Sequence, residues 1–161
     1  MSSDVISIIP ADPLWVPGEP EAAAARAVLA AIYPGARAID ATVDDDPVFV
    51  DQGENFESVH CPHCAARMTI DWWHERMDEA WASRCRVLDV RMPCCGRDST
   101  LNDLDYRWPA GFARFVMRVR DPRRPGTGDP YVIDATHLDD AELRWVAEAL
   151  GHRVRQIVAR Y

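Results

Sequence analysis

The chain contains no lysine: all 18 of its basic residues are arginine. With abundant alanine and 12 prolines, this reads as a GC-rich bacterial coding bias, so no function is attached to the missing amine. Long apolar runs are also missing, and nothing approaches the roughly 18 residues of a membrane span. Met1-Ser2-Ser3-Asp4-Val5 lacks the basic start and apolar stretch of a signal peptide. The expected location is therefore the cytoplasm, with no membrane partner. No G-x-S-x-G, H-E-x-x-H, P-loop or dinucleotide fingerprint occurs. The His-x-Glu pair that zinc deaminases need is absent as well.

Cysteine is scarce, odd in number and unevenly placed. Four of the five cysteines form two tight pairs, Cys61-Pro62-His63-Cys64 and Cys94-Cys95-Gly96; Cys85 stands alone. In a reducing compartment such clusters point to metal or redox chemistry rather than disulfides. Two thiol pairs brought together suit one tetrahedral Zn²⁺. The candidate ligands are Cys61, Cys64, Cys94 and Cys95. His60 and His63 are the substitutes if Cys94 or Cys95 faces away. A shell of four thiolates leaves no open position for substrate, so the expected zinc is structural and no catalytic residue is assigned.

Cys61-Pro62-His63-Cys64 resembles the first knuckle of zinc-ribbon and related zinc-finger proteins, in which C-P-x-C-G turns supply ligands in pairs. Ala65 stands where that pattern has glycine. Met92-Pro93-Cys94-Cys95-Gly96 has the same outline with methionine at the first cysteine position, and Cys94 is the replacement thiol. The resemblance covers residues 61–96. It implies a metal and names no activity. The 29 residues between the pairs leave room for a helix and a returning strand.

The same Cys-Pro-His-Cys tetrapeptide is found in the active site of thioredoxin-like bacterial disulfide oxidases. That resemblance implies a thiol–disulfide oxidoreductase whose first cysteine is activated at a helix N-terminus. Against it, the lead-in Gly53-Glu54-Asn55-Phe56-Glu57-Ser58 is too polar for a buried central strand, and the second cysteine pair is left unexplained.

Local patterns supply the frame. Val5–Ile9 reads as a strand and Glu19–Tyr33 as a helix stopped by Pro34-Gly35. Ala38–Val43 and Val48–Val50 read as strands around an acidic turn, Asp44-Asp45-Asp46-Pro47. Thr69 or Asp71 caps a helix to about Ala82, with Ile70, Trp73, Met77 and Trp81 on one face. Arg86–Met92 alternates as a strand, and residues 97–111 read as a loop. Phe112–Arg120 alternates again, with Arg114, Arg118 and Arg120 on a solvated face. Residues 121–130 are a Pro/Gly loop. Asp139-x-x-Glu142 is a capping box opening a helix that Gly151 closes. Residues 152–160 are expected to form a closing strand, a helical continuation being the alternative.

The expected architecture is one α+β domain over residues 1–161. It has a mixed or antiparallel sheet, about three helices and a zinc-ribbon-like insertion over 60–96. The net charge is −8, with −9 carried by residues 1–60 alone. The acidic stretch Asp40, Asp44, Asp45, Asp46, Asp51, Glu54 and Glu57 is either a solubilising loop or a grip for a basic partner. The function expected is non-enzymatic, an adaptor, inhibitor or immunity-type protein acting on another protein. Nucleic-acid binding through the arginine face is a third reading, disfavoured by the net charge.

Overall fold

The computed structural model describes residues 3–124 and 136–161. Among the described residues, three helices and three antiparallel sheets make up an α+β fold. The main sheet has the order β2-β7-β1-β8, formed by β1 (Asp4–Pro10), β2 (Ala38–Val50), β7 (Gly111–Arg120) and β8 (Val154–Arg160). The closing segment is thus a strand rather than a helix. It lies along β1 from Asp4↔Arg160 to Pro10↔Val154.

Helix α1 (Glu19–Ile32) starts with proline in its first turn, and α3 (Asp140–Leu150) starts with the full capping box. Asp139 Oδ1 accepts from the Glu142 amide at 2.8 Å, and Glu142 Oε1 accepts from the Asp139 amide at 3.0 Å. Gly151 ends α3 at φ 83°, a left-handed conformation that costs glycine little. The two helices pack on each other and cover one face of the sheet. Leu29, Tyr33, Val146 and Leu150 meet Ile6, Ile8, Phe115 and Met117 there. Each large side chain so buried contributes roughly 1.5–3 kcal/mol.

Two sequence expectations about the sheet need correction. The acidic run is not a turn between two strands. Val43 pairs with Phe115 and Val48 with Ala113, so residues 44–47 bulge out of one continuous strand opposite Arg114 alone. The Arg114 side chain holds the bulge, Nε donating to the Asp44 carbonyl at 3.0 Å. Nor is the arginine face a bare solvated surface. Phe112 and Val116 on that side are fully buried. Arg120 pairs with Asp40 at 2.9 Å, and Arg118 donates to Thr42 Oγ1 at 3.1 Å. β7 is an inner strand, and both its faces carry apolar residues.

Between β2 and β7 the chain leaves the main sheet and builds a second core. It holds helix α2 (Ile70–Ala82) and four short strands: β3 (Ser58–His60), β4 (Asp89–Arg91), β5 (Asp98–Thr100) and β6 (Asp105–Arg107). β3 pairs with β6 and β4 with β5. The segment 97–111, read from sequence as a loop, therefore contains two strands. Their three-residue length and polar composition hide them. Leu101, Leu104, Tyr106 and Ala110 are buried, so this segment plugs a core rather than lining a binding surface. The Tyr106 hydroxyl donates to the Leu101 carbonyl at 2.6 Å and accepts from Trp73 Nε1 at 3.2 Å. The buried side of α2 is also rotated from the expected stripe. Trp72, Trp73, Met77 and Ala80 face the second core, whereas Ile70 is partly exposed and Trp81 is 75% exposed. The proline/glycine loop expected over 121–130 lies largely outside the described residues.

Candidate metal centre

Thr69 caps α2 by accepting the Trp72 amide at 3.2 Å, and ahead of that cap lies the first cysteine pair. Residues 61–66 fold back on β3 as a tight knuckle. The Ala65 amide donates to the Cys61 carbonyl at 3.0 Å, and the Cys61 amide to the Ala66 carbonyl at 2.8 Å. Residues 92–97 repeat the pattern. The Gly96 amide donates to the Met92 carbonyl at 2.8 Å, and the Met92 amide to the Arg97 carbonyl at 2.9 Å. The left-handed residue falls at the same place in each, Ala65 at φ 64° and Gly96 at φ 72°. Ala65 therefore holds a conformation that glycine would take freely, at a cost of roughly 1–2 kcal/mol.

This correspondence makes Met92 the counterpart of Cys61, Cys94 that of His63, and Cys95 that of Cys64. Met92 is fully buried and belongs, with Cys61, to the second core. The second knuckle thus spends its first position on packing and supplies its extra thiol from the variable position.

The two knuckles face each other. The Sγ atoms of Cys61, Cys64, Cys94 and Cys95 all lie within 4.8 Å of one another. Cys61 is 3.8 Å from Cys95, and Cys64 is 3.4 Å from Cys94. A disulfide needs about 2.05 Å, and all four cysteines are free. Zinc–sulfur bonds of about 2.3 Å in a tetrahedron place the sulfurs about 3.8 Å apart, close to what is seen. The cluster is therefore the size of a site that could hold a metal ion.

The two histidines are committed elsewhere. His60 places its ring nitrogens on Ser58 Oγ at 2.9 Å and the Ala65 carbonyl at 3.1 Å. His63 Nε2 reaches the Asp98 carbonyl at 2.9 Å and so ties one knuckle to the other. The structure brings together the four cysteines and leaves both substitutes outside.

Burial pushes the Cys61 thiol up, but the amides of Cys64 and His63 and the neighbouring thiols outweigh it and bring Cys61 down to about 6. Cys94 goes the other way, raised to about 12 by burial and by three adjacent sulfurs. A cluster that concentrates negative charge on crowded sulfurs suits a cation. Cys85 sits apart and buried, its thiol raised by desolvation and then by Asp46. A redox cysteine of the disulfide-oxidase kind needs a helix N-terminus, but the Cys61–Cys64 turn lies outside α2, which begins at Ile70.

Two features were only partly legible in the sequence. Arg124, Glu142 and Tyr33 form a part-buried cluster, legible only in that Glu142 belongs to a capping box. Trp81 shares a cleft with the acidic bulge, although it was expected on the buried stripe of α2. No helix among the described residues is long and apolar enough to cross a membrane. No protein-family model, curated protein or solved structure matches the chain.

Proposed function

We propose that Cys61, Cys64, Cys94 and Cys95 hold one zinc ion as a structural staple, and that the protein acts without catalysis through contacts with another protein. The observation that carries the metal reading is the convergence of four sulfurs within 4.8 Å on two knuckles of the same hydrogen-bond pattern. All-thiolate tetrahedra select zinc or iron among common metals. Four protein ligands close the shell, which supports a structural rather than a catalytic ion. The zinc then locks a zinc-ribbon-like insertion over 60–96, and function falls to the surfaces it holds in place. Reduced thiols fit a cytoplasmic protein, and an adaptor, inhibitor or immunity-type role suits the acidic charge.

Metal analysis of untagged protein is expected to find one zinc per chain and no colour from iron, with the four thiols blocked to alkylation until a chelator is added. A metal-free chain whose thiols turn over a disulfide substrate removes this reading in favour of the redox one. The pairing of the knuckles gives a sharper test of the ligand set. Cys94→Ser is expected to weaken zinc binding in chelator competition. Met92→Cys in that background is expected to restore it, because Met92 occupies the place that Cys61 holds in the first knuckle. Unchanged affinity in Cys94→Ser would remove Cys94 from the ligand set.

A further inference from the structure

β2 is an edge strand of the main sheet. Each residue from Ala41 to Asp45 is exposed. Over residues 38–43 the outer edge has no backbone hydrogen-bond partner among the described residues. A free edge of this kind accepts an extended segment from another chain.

At the end of that edge, the bulge and the C-terminal end of α2 enclose an open cleft of about 530 Å³, lined by Asp44, Asp45, Asp46, Pro47, Trp81 and Arg84 among others. Trp81 is 75% exposed and Val43 beside the cleft 57%. The bulge is fixed from behind. Arg114 binds the Asp44 carbonyl, and Arg86 binds the Asp45 carbonyl at 2.7 Å. Asp46 is occupied by Arg86 at 2.6 Å and by Arg84 at 3.7 Å. The carboxylates of Asp44 and Asp45 have no ion-pair partner among the described residues. With Asp46 already paired, the lining offers two uncommitted carboxylates, Asp44 and Asp45, and an indole as the apolar wall.

Building on the reading that the protein works through protein contacts, we propose that this cleft takes an arginine side chain from an extended basic segment of a partner, the segment lying along the free edge of β2. A guanidinium matches both surfaces, since it stacks on an indole face and pairs with carboxylates. Nucleic acid is repelled by the same acids. Arg84 is the internal competitor: its side chain is 81% exposed and rests loosely on Asp46.

The test uses the zinc-loaded full chain and calorimetric titration with a blocked peptide alternating arginine and valine. A second peptide has neutral citrulline in place of arginine. The arginine peptide is expected to bind, more weakly as salt rises, and the citrulline peptide not to bind. Trp81→Ala and the double variant Asp44→Asn/Asp45→Asn alter exposed side chains with no hydrogen-bond or ion-pair partner among the described residues, and each is expected to weaken binding by about fivefold or more. Arg84→Gly is expected to tighten it, and the backbone tolerates the change because Arg84 sits at φ 57°. Equal binding of both peptides, wild-type affinity in the Trp81 and aspartate variants, or no binding at all overturns the cleft. So does a dimer that forms through Trp81. Any of these with zinc still bound leaves the staple standing, and loss of zinc is scored separately by metal analysis.

Discussion

Chelation of the metal, or Cys61→Ser, is expected to unfold the part of the chain between β2 and β7 while the four-stranded sheet keeps its protection. The second core is built from a 13-residue helix and strands of three residues each. A helix of that length is marginal alone in water, and two-stranded pieces so short do not persist unaided. The facing pair of knuckles joins them alongside the buried side chains of the second core. Structural zinc supplies roughly 10–16 kcal/mol of apparent binding free energy at neutral pH, comparable to the whole stability of a domain. Of the four proposed ligands, Cys61 is the one whose loss is expected to cost most, because it is 1% exposed and belongs to the second core as well as to the cluster. The thiols must give up their protons to bind, so affinity falls with acidification, and mild acid is expected to have the same effect as chelator. Amide exchange reads the outcome residue by residue. Protection should vanish across α2, β3 and β6 and remain in β1, β7 and β8. Circular dichroism should lose about a third of the helical signal, the share of α2 among the three helices of the described residues. Unchanged exchange and melting after complete metal removal would show that the packed core, and not the ion, holds this region.

The parts of this fold legible in the sequence are those whose signals are local. β1 was marked by Val5-Ile6-Ser7-Ile8-Ile9 before Pro10, and α3 by a capping box and a closing glycine; both elements are found where those marks stood. The cysteine constellation was legible for a similar reason, since a knuckle is six residues long and carries its own hydrogen bonds. Even the degenerate second knuckle could be aligned on the first through Pro93 and Gly96. The misread parts depend on distant partners. Residues 44–47 read as a turn because three aspartates and a proline suit one, and only the register against β7 shows that the strand resumes. β6 has the polar sequence Asp-Tyr-Arg and becomes a strand because Val59 lies opposite Tyr106. On α2 two apolar stripes overlap. Of the expected stripe of Ile70, Trp73, Met77 and Trp81, the second core keeps Trp73 and Met77, adds Trp72 and Ala80, and leaves Ile70 and Trp81 outside. That misplacement hid the cleft. An indole expected inside gives no hint of a surface until its exposure is seen.

Arg124→Met is expected to destabilise the sheet half of the molecule by roughly 3 kcal/mol, the lower end for breaking a buried ion pair. The guanidinium makes two parallel bonds to Glu142, Nη1 to Oε2 at 3.0 Å and Nη2 to Oε1 at 2.9 Å. It also donates to the His137 carbonyl at 2.9 Å and lies 4.8 Å over the Tyr33 ring. The Tyr33 hydroxyl donates to the Thr136 carbonyl at 2.5 Å. One arginine thus ties the end of the chain after β7 to the approach of α3 and the end of α1. Its side chain is 19% exposed and that of Glu142 11%, so water replaces little of what is lost. At roughly 2–4 °C per kcal/mol for a protein of this size, the melting temperature should fall by about 6–12 °C. The comparison with Arg124→Met/Glu142→Leu separates the pair from its packing. The double variant removes both charges and is expected to recover part of the loss, less about 1 kcal/mol for the broken capping box. Tyr33 adds a pH signature. Burial raises its hydroxyl to about 12, with Arg124 acting in the opposite sense. The folded form therefore holds that proton more tightly than the unfolded chain, whose tyrosine titrates near 10. Stability from this group is complete below pH 10 and is lost as pH rises through about 12. Tyr33→Phe should flatten that part of the alkaline profile relative to the parent. If Arg124→Met melts within a degree or so of the parent, or the double variant melts lower than the single, the clasp is ordinary surface pairing and contributes no more than such pairs do.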